Sequence, residues 1–224
     1  MAINTEKYSE VINELNGKAT LVAVSKTKPV SEIKELYELG QRDFGENYVQ
    51  ELTEKQSQLP QDIRWHFIGH LQSNKVKFIA PFVYLIHGVD SFKLLKEINK
   101  QAQKNNRVIN CLLQMHIAQE ETKFGFSEEE SDALFANKEL KELQNIKING
   151  LMGMASFTED LNKVKGEFAQ LKRLFEKYKP LAGQNAEFSV LSMGMSSDYK
   201  TALEEGSTMV RIGSLLFGAR TYQE

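Results

Sequence analysis

Short apolar segments recur along the chain and alternate with charged, amphipathic stretches. The apolar segments are rich in β-branched residues and mostly lack interleaved polar residues, a pattern typical of strands that are buried on both faces. We count eight of them, at residues 20–25, 43–47, 65–69, 82–86, 109–117, 148–154, 187–191 and 208–212. The stretches between them carry apolar residues at helical spacing, and the clearest helices are predicted at residues 31–39, 91–105 and 161–178.

Eight strands that alternate with helices in a chain of 224 residues predict a closed (β/α)8 barrel of the TIM type. An extra helix at residues 6–15 precedes the first strand and would cover the bottom of the barrel. The alternative is an open, doubly wound sheet, which often carries a glycine-rich fingerprint after its first strand. Because residues 25–29 contain no glycine, we predict a single α/β barrel domain over residues 1–224.

Composition excludes several classes of function. The 28 basic and 30 acidic residues give a formal net charge of -2, so there is no basic surplus for binding nucleic acid. The chain begins without a signal-peptide pattern and has no apolar run long enough to span a membrane. A single cysteine, Cys111, fits a reducing compartment. We therefore expect a cytoplasmic protein, a monomer rather than a stable oligomer, that binds neither nucleic acid nor membranes.

Lys26 directly follows the first predicted strand, at the end of the barrel where functional groups gather. A lysine in this position is usually solvated or paired with an acid. In a partly dry barrel mouth, however, burial favours the neutral amine, which can attack an aldehyde to form a Schiff base. Lys28 is the competing candidate, but it lies one step further into the loop.

The loops after the last two predicted strands are rich in small and hydroxyl-bearing residues. Residues 192–198 read SMGMSSD and residues 213–218 read GSLLFG. Barrels commonly bind phosphate groups at these two loops through backbone N–H groups and hydroxyls. Ser196, Ser197 and Asp198 can also be interpreted as a plain helix cap. The two interpretations are compatible, and the sequence predicts a phosphate site here.

Arg211 lies within the last apolar segment, where an arginine needs a partner. It could form a salt bridge with Glu46 or Asp43, or it could donate to a ring nitrogen of a bound cofactor. The histidines do not predict a metal site, because the strand assignment of His66 breaks the helical geometry that a zinc pair with His70 would need.

Seven motifs occur in order along the chain: AVSKTKP at residues 23–29, FGENYVQE at 44–51, WHFIGHLQ at 65–72, NK at 74–75, GLMGM at 150–154, LSMGMS at 191–196 and VRIG at 210–213. Together they resemble the family of pyridoxal phosphate homeostasis proteins over essentially the whole chain. The resemblance implies a barrel similar to the N-terminal domain of alanine racemase, with pyridoxal 5′-phosphate as the cofactor.

The resemblance also assigns roles to single residues. It implies a Schiff base on Lys26 and an arginine, Arg211, that faces the pyridine nitrogen. The full set of cofactor-binding residues that it implies is Lys26, Asn47, His66, Ser196, Arg211, Gly213 and Ser214.

The first functional hypothesis is a non-catalytic protein that buffers pyridoxal phosphate or delivers it to apo pyridoxal-dependent enzymes. An arginine keeps its proton because its pKa stays above about 12, so a pyridine nitrogen beside it is a weak electron sink. Racemisation also needs a second acid or base opposite the lysine. Alanine racemase supplies that group from a second domain, which we expect this chain to lack. The alternatives are an amino-acid racemase or related pyridoxal enzyme, and a barrel enzyme acting on a phosphorylated sugar.

Overall fold

The first and last strands pair with each other, and this pairing closes the sheet into a barrel. The computed structural model describes residues 3–118, 124–181, 183 and 185–218. Each strand is parallel to the next one along the chain, and together the described strands form one closed barrel. The strands are β1 (Thr20–Val24), β2 (Asp43–Glu46), β3 (Arg64–Phe67), β4 (Leu85–Val89), β5 (Ile109–Gln114), β6 (Ile146–Met152), β7 (Ala186–Ser192) and β8 (Met209–Ile212). The predicted (β/α)8 barrel is confirmed, and the doubly wound alternative is wrong.

Helices follow the strands and pack around the barrel. Each of the four helices predicted from periodicity lies within one residue of the predicted bounds. Among the described residues, no helix is both long and apolar enough to cross a bilayer. The α-helices are α1 (Thr5–Leu15), α2 (Val30–Glu38), α3 (Val49–Gln56), α4 (Val76–Ile79), α5 (Phe92–Lys104), α6 (Glu128–Ala136), α7 (Leu161–Tyr178), α8 (Tyr199–Glu204) and α9 (Ser214–Phe217). Short 3₁₀ helices lie at Ser73–Lys75, Lys138–Glu142 and Lys179–Leu181.

Strand β4 lies further along the chain than the sequence pattern predicts. The apolar segment at residues 82–86 indicated a strand there, whereas β4 covers Leu85–Val89. Val83 is fully buried, but its backbone N–H bonds to Ile79 in the turn that ends α4. Val83 is therefore apolar because it packs in that turn. His87 is polar and lies within β4, so the apolar pattern does not show where the strand ends.

The apolar core occupies two separate spaces. The larger one lies between the helices and the outer face of the sheet, where α7 buries Phe168 and Leu171. The smaller one fills the inside of the barrel and consists of Val22, Leu85, Leu112, Met152 and Met209. Because the interior is filled by side chains, the barrel is a rigid scaffold for the groups at its ends.

Two glycines offer a matched test of this backbone. Gly166 lies within α7, and a Cβ added there would meet no atom within 4 Å. We expect Gly166→Ala to raise the free energy of unfolding by about 0.5–1 kcal/mol, because alanine loses less backbone entropy in a helix. Gly150 in β6 has a φ of +147°, and a Cβ there would collide with the carbonyl oxygen of Val190.

We therefore expect Gly150→Ala to lower the free energy of unfolding by more than about 1 kcal/mol. Urea denaturation of both variants checks the pair. Equal effects of the two substitutions would contradict the strand geometry described for β6.

Candidate functional site

A cavity of about 400 Å³ opens at the carboxyl ends of the strands. This volume falls within the range of about 300–1,000 Å³ usual for small-molecule sites. The described residues that line it are Val24, Lys26, Lys28, Asn47, Ile68, Met154, Phe157, Met195, Ser196, Ser197, Arg211, Gly213, Ser214 and Gly218. The structure thus brings together six of the seven predicted site residues, contributed by the ends of β1, β2, β7 and β8.

The cavity is cationic. Lys26, Lys28 and Arg211 line it, and none of the described lining residues is an aspartate or a glutamate. The hydroxyls of Ser196, Ser197 and Ser214 are further hydrogen-bond donors in the cavity wall. The arrangement suits a small ligand that carries negative charge.

The turn that carries Lys26 is held by a buried ion cluster that consists of Lys55, Glu46 and Glu51. Lys55 of α3 donates to the backbone oxygen of Ser25 at 2.7 Å, to Glu46 Oε1 at 2.8 Å and to Glu51 Oε1 at 2.6 Å. The hydroxyl of Ser25 donates to the same Glu46 oxygen at 2.6 Å. All three protons of the Lys55 ammonium are therefore used. Glu46 is fully buried, and its Oε1 is paired, while its Oε2 has no hydrogen-bond partner among the described residues.

The residue after Lys26 has a strained backbone. Thr27 has a φ of +64°, in the left-handed region that a β-branched residue rarely adopts. Its N–H donates to Glu51 Oε1 at 2.6 Å, so the carboxylate that Lys55 fixes also fixes this conformation. The cluster therefore positions the turn from which the Lys26 side chain enters the cavity.

Lys28 occupies a different environment on the same loop. Its Nζ donates to the backbone oxygen of Phe217 at 2.6 Å and lies 3.9 Å from Glu32. These contacts tie the β1 loop to the end of α9. Lys28 thus has a structural role that explains its burial, alongside its place in the cavity wall.

The two predicted phosphate loops are joined by a hydrogen bond from the N–H of Gly213 to Ser196 Oγ, at 3.3 Å. Asp198 is the N-cap residue of α8 without a side-chain cap hydrogen bond, and its carboxylate accepts from the N–H of Met195 instead, at 2.6 Å. Burial raises the pKa of Asp198 above its ordinary value, against the lowering effect of the Met195 N–H. Ser196 is therefore not merely a helix cap, because its hydroxyl faces the β8 loop and the cavity.

Asn47 brings a polar atom to the cavity wall that the protein does not satisfy. Within the described part of the chain, its Oδ1 is buried and has no hydrogen-bond partner. Its backbone lies so close to Gly69 that any side chain at that position would collide with it. Buried polar atoms normally find a partner, so the amide oxygen of Asn47 is an unused hydrogen-bond acceptor next to the cavity.

Arg211 has neither of the salt bridges considered from the sequence. Asp43 is engaged with Arg64, and Glu46 with Lys55. Arg211 instead donates to Ser192 Oγ at 2.6 Å and to the backbone oxygen of Gly153 at 3.1 Å. Burial lowers its pKa to about 10, so the guanidinium remains charged at neutral pH. A cation held by neutral acceptors keeps its charge available to a ligand in the cavity.

His66 is the predicted site residue that the structure does not place in the cavity wall. It is fully buried in the barrel interior, where its Nε2 lies 2.9 Å from Asp43 Oδ1 and its Nδ1 lies 2.9 Å from His87 Nε2. His87 is also fully buried and belongs to the same hydrogen-bonded interior. Both histidines are thus polar core residues, and any effect of His66 on the cavity must pass through His87.

Lys55 and Glu51 support the turn that carries Lys26, and the sequence does not predict this role. The two are spaced i,i+4 on a helix, and such pairs normally lie on the solvent face. The sequence contains no signal that α3 turns this pair toward the β1 turn. The sequence places Ser192 only within a loop of small residues, whereas in the structure it is the hydrogen-bond partner of Arg211.

The comparisons with known proteins agree on one family. Residues 2–221 match the family described as alanine racemase, N-terminal domain. The pyridoxal phosphate homeostasis protein of Aquifex aeolicus is 43% identical over 205 residues, which cover 91% of this chain and 88% of that protein. The human protein of the same name is 42% identical over 214 residues, covering 91% of this chain and 78% of that protein. This chain belongs to the pyridoxal phosphate homeostasis protein family.

Solved structures of the family have the same barrel. PipY of Synechococcus elongatus, solved with pyridoxal phosphate bound, matches with a TM-score of 0.87 and 35% identity, covering 95% of this chain and 99% of that chain. Alanine racemase of Bartonella henselae matches with a TM-score of 0.71 at 17% identity, and only 57% of that chain is covered. The second likeness is one of fold alone.

The ion cluster under Lys26 leads to a stability prediction. Lys55→Met leaves Glu46 buried without its cation, and we expect it to lower the free energy of unfolding by about 3 kcal/mol. Adding Glu46→Gln to Lys55→Met should recover part of the loss, because the fully buried side chain at position 46 then carries no charge.

Urea denaturation measures both effects. Lys172→Met is the matched control, since Lys172 pairs with Glu176 at 2.7 Å on the exposed face of α7, and it should leave stability nearly unchanged. If Lys55→Met behaves like this control, the cluster does not hold the turn.

Proposed function

We propose that this chain binds pyridoxal 5′-phosphate in the cavity, holds it as a Schiff base on Lys26, and acts in intracellular pyridoxal phosphate homeostasis. The observation that carries the proposal is the cationic cavity that Lys26 and Arg211 line in a member of this family. PipY, with which the chain shares both fold and sequence, was solved with this cofactor bound.

The donors around the cavity fit the chemistry of the cofactor, whose aldehyde condenses with a lysine amine. The hydroxyls of Ser196 and Ser214 offer donors for the phosphate, and Gly213, whose N–H donates to Ser196 Oγ, has no side chain to block its approach. We assign Arg211 to the pyridine nitrogen, because its guanidinium is charged and held at the cavity floor. The orphan oxygen of Asn47 provides a further polar contact.

His66 enters this proposal indirectly. It lies in the interior, separated from the cavity by His87, Ser192 and Arg211. We therefore propose that it supports the arginine rather than touching the cofactor.

The cavity supports retention of the cofactor better than turnover. Proton transfer on both faces of a substrate needs a second acid or base opposite Lys26. No histidine, tyrosine, cysteine, aspartate or glutamate is among the described residues that line the cavity. We propose a carrier or buffer, monomeric and cytoplasmic, that supplies apo pyridoxal-dependent enzymes and has no robust activity of its own.

Borohydride trapping tests the assignment of Lys26. The full-length chain is incubated with pyridoxal phosphate, reduced, digested and mapped by mass spectrometry. We expect one reduced adduct, located on Lys26, because reduction makes the Schiff base permanent. Lys26→Arg should abolish the adduct while keeping the charge.

Lys28→Arg is the matched control on the same loop and should retain the adduct on Lys26. An adduct that persists in Lys26→Arg would overturn the assignment. Failure of the unmodified chain to form any adduct would overturn cofactor binding itself, and would leave the sugar-phosphate alternative open.

An amino-acid racemase is the second candidate, favoured by the barrel that the chain shares with alanine racemase. We expect incubation of the loaded protein with each L-amino acid to produce the D-isomer no faster than free pyridoxal phosphate does. Chiral chromatography measures the product, and the Lys26→Arg variant provides the background rate. Robust formation of a D-isomer that depends on Lys26 would replace the carrier proposal with the racemase.

A further inference from the structure

A hydrogen-bonded row of side chains crosses the inside of the barrel. It begins at Asp43, the first residue of β2, and passes through His66 and His87 with N···O and N···N distances of 2.9 Å. His87 Nδ1 lies 3.2 Å from Ser192 Oγ, which accepts a hydrogen bond from Arg211 at 2.6 Å. The row therefore links the amino end of the barrel to the arginine in the cavity wall.

The ionised carboxylate of Asp43 anchors one end of the row. Burial alone would raise the pKa of Asp43, but hydrogen bonds from Arg64 and His66 outweigh it and lower the pKa to about 2. Arg64 grips the carboxylate with two hydrogen bonds, of 2.7 Å and 2.5 Å. A carboxylate can only accept hydrogen bonds, so the facing Nε2 of His66 must carry a proton.

The proton on His66 Nε2 determines where the protons lie on the other groups of the row. Burial lowers the pKa of both His66 and His87, so each ring is neutral and has one N–H. Because His66 uses its proton on Asp43, its Nδ1 accepts from the Nε2–H of His87. The Nδ1 of His87 accepts in turn from the hydroxyl of Ser192, which leaves the Ser192 oxygen to accept from Arg211. Every hydrogen in the row points from the cavity toward Asp43.

We propose that Asp43, His66, His87 and Ser192 form a positioning network that fixes the Arg211 guanidinium, so that retention of the cofactor depends on a carboxylate at the opposite end of the barrel. The inference rests on the proposed function, because it assigns Arg211 to the cofactor ring. Ser192 and the backbone oxygen of Gly153 together orient the guanidinium. Only one direction of the row presents an acceptor to Arg211 without competition from a second donor.

The substitution Asp43→Asn removes the acceptor-only group that sets the direction of the hydrogen bonds in the row. Its amide offers a donor as well as an acceptor, so His66 can take either tautomer. If His66 turns its proton toward His87, the Nδ1 of His87 carries the other proton and donates to Ser192. Ser192 Oγ then accepts from both His87 and Arg211, and its own proton loses its acceptor in the row. The hydrogen bond from Arg211 is then no longer strengthened by a chain of bonds that run in one direction.

Nitrogen-15 NMR of the histidine rings tests the network in the full-length chain without cofactor. We expect both His66 and His87 to be Nε2–H tautomers. In Asp43→Asn we expect the ring signals of His87 to change, although Asp43 does not touch His87. An Nδ1–H tautomer of His87 in the unmodified protein, or unchanged His87 signals in the variant, would overturn the network.

The affinity for pyridoxal phosphate tests whether the network affects cofactor binding. We expect Asp43→Asn and Ser192→Ala to weaken pyridoxal phosphate binding by about threefold to tenfold, measured by equilibrium dialysis, while the adduct still forms on Lys26. Asp62→Asn is the matched control, because Asp62 pairs with Arg42 at 2.9 Å outside the barrel interior, and it should bind as the unmodified chain does.

The two proposals fail in different ways. Normal affinity in both Asp43→Asn and Ser192→Ala, with a normal adduct, would overturn the network alone. Absence of an adduct in the unmodified chain would overturn the proposed function, and the NMR experiment would still decide whether the row of hydrogens has the stated direction.

Discussion

Buried polar groups are removed from water, so each of them depends on a partner that the chain supplies. In this protein, the demand is met in two contrasting ways. Lys55 is neutralised by carboxylates and holds a turn rigid. Arg211 is held by neutral oxygens and keeps its charge directed at the cavity. The first arrangement builds the scaffold, and the second leaves a cation whose hydrogen-bond partners are neutral, so that its charge can act on a ligand.

This contrast explains why the cavity has a rigid backbone although a polar atom in its wall lacks a hydrogen-bond partner. Thr27 keeps a strained backbone because Glu51 and Lys55 over-determine it. In the cavity wall, by contrast, the Oδ1 of Asn47 has no hydrogen-bond partner among the described residues. Preorganised donors around an unsatisfied site lower the entropic cost of binding, which is the property required of a protein that must hold a small cofactor firmly.

Much of the fold and part of the site could be predicted from the sequence, for identifiable reasons. Barrel strands are apolar on both faces, so their positions stand out, and residues such as Lys26 and Gly213 directly follow them. The sequence could not predict β4 correctly, because His87 interrupts the apolar pattern inside the strand. It also could not predict the role of Lys55, since an i,i+4 ion pair looks the same whether a helix turns it to solvent or into the protein. The depth of His66 depends on barrel register, which no local pattern encodes.

The pairing of β1 with β8 places Val22 beside Arg211, and Lys26 follows on the same side of that seam. The two cationic residues that line the cavity near this seam thus come from the first and the last strands of the barrel. An unfinished chain would contain the lysine long before the arginine and the β8 loop that complete its surroundings. A ligand held across the seam binds only the closed form and therefore stabilises it. Occupancy of the site would then require that β1 and β8 have paired and the barrel has closed.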